Sequence, residues 1–187
     1  MLNLKKLLII AGPSGAGKTT LCNYLAKEYG IPRVVTHTTR PKRPGEEDGR
    51  DYFFETPATF AKLHFFEHVK YDRYSYGSSH EALAQAWQKS DLASIVVETE
   101  GVASYLKELP HQVYFIYLTV SKPALIARRL RARGDSEAEI TKRLTSPEFK
   151  RDLQLPASLQ KYAHRLVNDD WAETKRQVAA IVAFLRK

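Results

Sequence analysis

Residues 5–19 read KKLLIIAGPSGAGKT, and this stretch decides the fold. The run to Ala11 is apolar at every position from Leu7 on, which predicts a strand buried on both faces, as in a parallel sheet. Gly12-Pro13-Ser14-Gly15-Ala16-Gly17-Lys18-Thr19 then matches G-x-x-x-x-G-K-[ST] at every fixed position. The glycines let the backbone curl so that successive N–H groups point inward at phosphate oxygens. The helix that follows adds the favourable end of its dipole. Lys18 is placed to reach the β- and γ-phosphates of ATP, and the Thr19 hydroxyl to sit on Mg²⁺. Gly12, Pro13, Ser14, Gly15, Ala16, Gly17, Lys18, Thr19 and Thr20 are therefore the expected ATP contacts. Thr20 and Cys22 also read as packing residues of the helix.

Working outward, strand and helix signals alternate. Leu21, Tyr24, Leu25 and Tyr29 repeat at helical spacing from Lys18 until Gly30 and Pro32 stop the helix. Thr56-Pro57 reads as a cap followed by proline in the first turn, opening a helix to about Leu63. Ser78 and Glu81 read as a capping box for a helix to about Lys89. Ser94–Val97 and Val113–Val120 are the next strands. Ser121 reads as the cap of a helix that ends near Arg133-Gly134. Ser136 and Glu139 form a second capping box, and Ser146-Pro147 reads as a break. Arg165–Val167 is a short strand, after which Asp169 or Asp170 caps a last helix. Helices between parallel strands, with this loop after the first strand, predict an α/β three-layer P-loop NTPase fold in one domain.

Composition excludes several classes. Hydrophobic residues are 43% and charged residues 27% of the 187, the balance of a folded globular chain rather than a disordered one. No apolar run approaches the roughly 20 residues of a membrane span. The opening MLNLKKLLII lacks a small-residue cleavage site and runs straight into the glycine loop, so no signal peptide is expected. Cys22 is the single cysteine and cannot form an internal disulfide, which fits a reducing cytoplasm. The formal charge is +8, with nine Lys or Arg against four Asp or Glu between Lys122 and Arg151. A second basic group, Arg40, Lys42, Arg43 and Arg50, is interleaved with acids. No nucleic-acid motif accompanies the charge, so small polyphosphate ligands are the expected partners, not nucleic acid or membrane.

The second substrate is written in VVTHTTRPKRPGEEDGRDYFF, residues 34–54. This stretch resembles the guanylate kinase pattern S-x-T-T-R-x-x-R-x-G-E-x-x-G-x-D-Y at Thr38, Thr39, Arg40, Arg43, Gly45, Glu46, Gly49, Asp51 and Tyr52, with Thr36 where the family often has serine. Arg40 and Arg43 can clamp a phosphate bidentately, and Tyr52 can add a hydrogen bond. The resemblance continues at Glu67, Tyr76 and Ser78. It implies that Glu67 accepts hydrogen bonds from guanine N1–H and the 2-amino group, that Thr36 and Ser78 serve the rest of the base edge, and that Tyr76 serves the phosphate. In the arginine-rich segment of residues 125–144, it implies Arg129 against adenine and Arg133 and Arg143 on the transferring phosphoryl group. It further implies an adenine contact for Asn168 in the segment Val167-Asn168-Asp169-Asp170.

One departure bears on chemistry. Where the family has [DE]-I-D-x-Q-G, this chain has Val97-Glu98-Thr99-Glu100-Gly101. Either Glu98 and Glu100 fill both acidic positions, or the glycine aligns directly and one acid is lost. Glu98 and Glu100 are thus candidates for the acceptor base, and Glu98 also for the metal. The stretch 145–160 diverges as well. The resemblance implies a core of residues 1–33, 91–124 and 159–187, an acceptor-binding lobe of 34–90 and a helical lid of 125–158. The expected activity is ATP-dependent phosphorylation of GMP or dGMP with Mg²⁺. A kinase of another nucleotide or a phosphosugar would carry the same glycine loop. A non-catalytic module of this family would typically have lost Lys18 or the lid arginines, which this chain keeps.

Overall fold

The computed structural model describes residues 5–71 and 73–187; the Met1–Leu4 part of the stretch read for a signal peptide lies outside the described residues. The strands are β1 (Lys6–Ala11), β2 (His37–Thr38), β3 (Phe53–Phe54), β4 (Phe65–Tyr71), β5 (Tyr74–Ser79), β6 (Leu92–Val96), β7 (Val113–Thr119) and β8 (Ala163–Val167). The helices are α1 (Lys18–Tyr29), α2 (Pro57–Phe60), α3 (His80–Lys89), α4 (Val102–Glu108), α5 (Pro123–Arg133), α6 (Glu137–Thr145), α7 (Pro147–Asp152), α8 (Ala157–Gln160) and α9 (Trp171–Leu185).

Four parallel strands, in the order β6-β1-β7-β8, form the main sheet. The unbroken apolar run of β1 is explained by burial on both faces. Leu7, Ile9 and Ala11 join a core with Phe115, Tyr117 and Tyr105, while Leu8 and Ile10 pack against Leu21 and Leu25 of α1 and Val178 and Val182 of α9. Leu7, Leu8, Ile9 and Ile10 are completely buried. Each such side chain contributes about 1.5–3 kcal/mol, so the strand that carries the glycine loop is firmly anchored.

A second sheet, in the order β3-β2-β5-β4, lies within residues 37–79. Its antiparallel pair β4–β5 supplies Glu67, Val69, Tyr76 and Gly77 to one wall of a cavity described below. Behind it His37 donates or accepts through both ring nitrogens, to Glu55 Oε1 at 3.0 Å and to Ser79 Oγ at 2.8 Å. Helices α5, α6 and α7 bury an apolar cluster of their own, Val120, Ile126, Leu130, Ile140 and Phe149.

Helix α1 and the Ser136–Glu139 capping box stand as the sequence predicts. Several boundaries differ. The cap of α3 is Ser79, which accepts from Ala82 N–H, not Ser78; Glu81 instead accepts from His64. Ser121 does not cap α5: Lys122 takes the cap position with no side-chain cap bond, and the Ser121 N–H donates to Asp169 Oδ1 at 2.8 Å. Asp170, not Asp169, caps α9. Helix α2 ends at Phe60, and the Ser146-Pro147 break proves to be the start of α7, with Ser146 accepting from Phe149 N–H.

Candidate functional site

The glycine loop is shaped by what surrounds it. Gly12 has φ 136°, and a Cβ there would lie 2.0 Å from the Leu118 carbonyl oxygen of β7. Only glycine fits at this crossing. Gly17, at φ 105°, leaves no room for a side chain beside Asn168 Nδ2. Lys18 Nζ folds back over the loop, donating to Gly12 O at 2.5 Å and Pro13 O at 3.1 Å. Its burial lowers the ammonium pKa from the ordinary lysine value, against an opposite pull from Asp152 and Glu98. Thr19 and Thr20 are exposed at the head of α1. They line a cavity of about 520 Å³ together with Lys18, Arg129, Arg133 and Arg143, a volume suited to a small organic ligand.

The predicted arginines take different positions. Arg143 donates to Ser14 Oγ at 2.9 Å and so lies directly on the loop. Arg133 is paired with Asp135 at 2.8 and 2.5 Å. Arg129 donates to Asn168 O at 2.5 Å and Ala16 O at 3.3 Å, while keeping one edge on the same cavity. Asn168 is the exception. It is buried, its Nδ2 donates to Ala16 O at 2.7 Å, and its Oδ1 accepts from Thr174. The side chain expected at adenine thus braces the loop from beneath, with one bond at each end of its amide.

A second cavity of about 360 Å³ is lined by Thr36, Tyr52, Glu67, Tyr76, Glu98 and Glu100, among others. Glu67 comes from β4 and accepts from Ser78 Oγ of β5 at 2.8 Å. Burial raises its carboxyl pKa above the ordinary glutamate value, and the Glu98 charge adds to that rise. The two motif threonines are structural ties to β5: Thr38 Oγ1 donates to Ser75 O at 3.0 Å, and Thr39 Oγ1 accepts from Ser75 N–H at 2.9 Å. The arginine clamp is asymmetric. Arg40 is 8% exposed, bound to both carboxylate oxygens of Glu46 at 2.7 and 3.0 Å, and set near the rings of Tyr52 and Phe54. Arg43 is exposed, and only its backbone N–H reaches Glu46. Arg40 is therefore paired within the chain, whereas the guanidinium of Arg43, the other arginine expected at the phosphate, is exposed.

Glu98 and Glu100 follow the end of β6 at the mouth of this cavity, and both are held by Arg151 of α7 at 2.9 and 3.2 Å. Glu98 also lines a third cavity, of about 390 Å³, with Ser14, Lys18, Arg143 and Asp152. Sequence reasoning missed Arg151 and Asp152. Asp152 is buried, accepts from Thr99 Oγ1 at 2.8 Å, and its backbone oxygen accepts from Tyr117 Oη at 2.6 Å. The signal that could have found them was Ser146-Pro147, the same cap-and-proline pair that starts α2 at Thr56-Pro57.

Among the described residues no group of three or more His, Cys, Asp or Glu is placed to hold a metal ion. The oxygen donors near the loop are a hydroxyl, Thr19, and two carboxylates, Glu98 and Asp152, both of which are paired with Arg151. That sparse set fits Mg²⁺, which keeps much of its water and binds through one or two protein oxygens plus substrate phosphates. No helix among these residues is long and apolar enough to cross a membrane.

A family model described as guanylate kinase matches residues 4–184. The chain is 33% identical over 184 residues to a guanylate kinase of Nitrosococcus oceani, covering 94% of this chain and 87% of that one. It is 34% identical over 187 residues to a guanylate kinase of Escherichia coli K12, covering 94% and 86%. A crystal structure of guanylate kinase from Anaplasma phagocytophilum shares the fold, with a TM-score of 0.61 at 23% identity over 97% of this chain and 86% of that one.

Proposed function

The chain belongs to the guanylate kinase family, and from that premise we propose that it transfers the γ-phosphoryl group of ATP to GMP or dGMP in the cytoplasm. The observation that carries this is the meeting of two cavities at the end of β6, where Val96, Val97 and Glu98 line both. Glu98 lines both the cavity with Glu67 and the cavity with Lys18. A base held at Glu67 would have its phosphate directed toward the glycine loop, which is the in-line arrangement phosphoryl transfer needs.

Each side chain then has a task. Glu67 accepts from guanine N1–H and the 2-amino group, a donor pair adenine lacks; Thr36 lines the base edge, while Ser78, fully buried, orients the Glu67 carboxylate from behind. Tyr52, Tyr76 and the exposed Arg43 take the acceptor phosphate, with Arg40 supporting them from its Glu46 pair. The loop N–H groups and Lys18 hold the ATP phosphates, and Arg133 and Arg143 stabilise charge on the transferring group. Arg129 flanks the nucleotide side. The Thr19 hydroxyl would hold Mg²⁺, which would supply positive charge against the ATP phosphates.

The test is ADP release from ATP across GMP, dGMP, AMP, CMP, UMP and a panel of sugar phosphates. GMP and dGMP are expected to dominate. Preference for AMP or a sugar phosphate would overturn the acceptor assignment while leaving the ATP site in place.

A further inference from the structure

Arg151 stands outside every element of the reading above, yet it touches three carboxylates. Its Nη2 donates to Glu98 at 2.9 Å, its Nη1 lies 3.2 Å from Glu100, and its Nε donates to Asp152 Oδ1 at 3.1 Å. We propose that Arg151 is a positioning residue for acceptor specificity, holding Glu98 and Glu100 at the mouth of the acceptor cavity from α7. The proposal rests on the reading of that cavity as the acceptor site.

Three observations support it. First, Glu98 and Glu100 need an outside restraint. Their side chains are 65% and 72% exposed, whereas that of Arg151 is 27% exposed. A long carboxylate side chain at such exposure samples many rotamers unless a partner fixes it. Second, Arg151 is itself fixed. The next residue, Asp152, is tied to the core by Thr99 and by Tyr117, so the guanidinium projects from a backbone that cannot drift. Third, the charge arithmetic favours it. Glu67, Glu98 and Glu100 all line the acceptor cavity, and three unpaired carboxylates there would repel an anionic acceptor. A planar guanidinium can satisfy several carboxylate oxygens at once where an ammonium presents a point charge. Burial opposes the charge on Arg151, but the surrounding carboxylates outweigh it and raise its pKa.

The arrangement also joins the two substrates. Helix α6, directly before α7, carries Arg143 onto Ser14 of the glycine loop. One short stretch of chain therefore contacts both the ATP loop and the acids of the acceptor cavity.

The test is steady-state kinetics of Arg151→Met, of Arg151→Lys, of the double variant Glu98→Gln with Glu100→Gln, and of that double variant combined with Arg151→Met, with folding checked by circular dichroism. Arg151→Met should raise KM for GMP about 5- to 10-fold with KM for ATP changed less than about 2-fold, and Arg151→Lys should recover part of the loss. In the background lacking both acids, Arg151→Met should add nothing further, since its action runs through them. Equal losses in both KM values, or a full effect of Arg151→Met without the acids, would overturn the proposal. Wild-type turnover of GMP tests the acceptor reading separately. Should another acceptor be preferred, the same ratios measured on that acceptor decide the role of Arg151.

Discussion

Glu67 and Lys18 carry the sharpest consequences at the level of single residues. Glu67→Gln keeps the shape but cannot accept both guanine hydrogen bonds, each worth roughly 1.5–3 kcal/mol when one partner is charged. kcat/KM for GMP should therefore fall about 10- to 150-fold. The same change should stabilise the fold. Burial raises the native Glu67 pKa, so the native state binds this proton more tightly than the unfolded chain does. Its contribution is greatest at low pH and is lost as pH rises from the ordinary glutamate value through the raised native one. Thermal unfolding should show Glu67→Gln melting above wild type near neutral pH and converging with it at about pH 4. A variant that melts below wild type at neutral pH would count against a strained carboxylate. Lys18→Ala should leave the melting temperature close to wild type and reduce kcat by more than about tenfold, because a phosphate contact is lost and little packing; a variant keeping more than that would contradict the role. At this scale most of the site was legible. Glycine, lysine and the motif tyrosines announce themselves by type and spacing. What stayed hidden was pairing: nothing in the order of residues reveals that Arg40 closes on Glu46 or that the Asn168 amide is consumed by Ala16 and Thr174.

Elements were legible where local chemistry started them. Helix α1 runs between Gly17 and Gly30, both with left-handed backbone, and its bounds follow from those two residues. Helix α4 was missed because its N-cap, Gly101, offers no side-chain acceptor to mark the start. Strands β2 and β3 were missed because two residues each are too short to show alternation. The Ser78/Ser79 ambiguity is instructive. Two adjacent serines can each cap, and only the fold shows that one caps α3 while the other is bonded to Glu67. The cap of α7 gives a prediction. Ser146→Ala should cost about 1 kcal/mol of stability, and α7 carries Arg151, so KM for GMP should rise with it. Chemical denaturation and kinetics on one preparation check both; an unchanged midpoint would remove the cap from the account. The crossing of the glycine loop over β7 gives another. Gly12→Ala places a methyl 2.0 Å from a backbone oxygen, which must displace β7 or the loop and should cost at least about 2 kcal/mol. A denaturation midpoint equal to wild type would contradict that geometry.

For the whole molecule, the cluster of α5–α7 has its own apolar interior, whereas the main sheet shares one core with Phe66 of β4 and with Ala82, Leu83 and Ala86 of α3. A unit with a separate interior can move against the rest without unpacking. Residues 34–90 and 125–158 are expected to close over the two substrates and exclude water from the transferring group. Small-angle scattering with a bisubstrate analogue should show a smaller radius of gyration than without it. Superimposable curves, with binding confirmed by calorimetry, would count against closure. The alternation of strands and helices made the main sheet legible, whereas the contacts of Arg151 and Asp152 with the end of β6 join residues 53 positions apart and left no local trace.

The pairing of β1 with β6 reaches beyond architecture. Ile10 lies opposite Val96, and Val97 N–H donates to Ile10 O at 3.3 Å. The glycine loop begins two residues past Ile10, and Glu98 stands two residues past Val96. The separation between the glycine loop and Glu98 is thus graduated by backbone hydrogen bonds, as on a ruler, and not by any flexible connection. One residue inserted within β6 would shift Glu98 by about 3.3 Å and turn its side chain to the opposite face. Surface loops elsewhere can lengthen freely over evolutionary time; this distance is quantised.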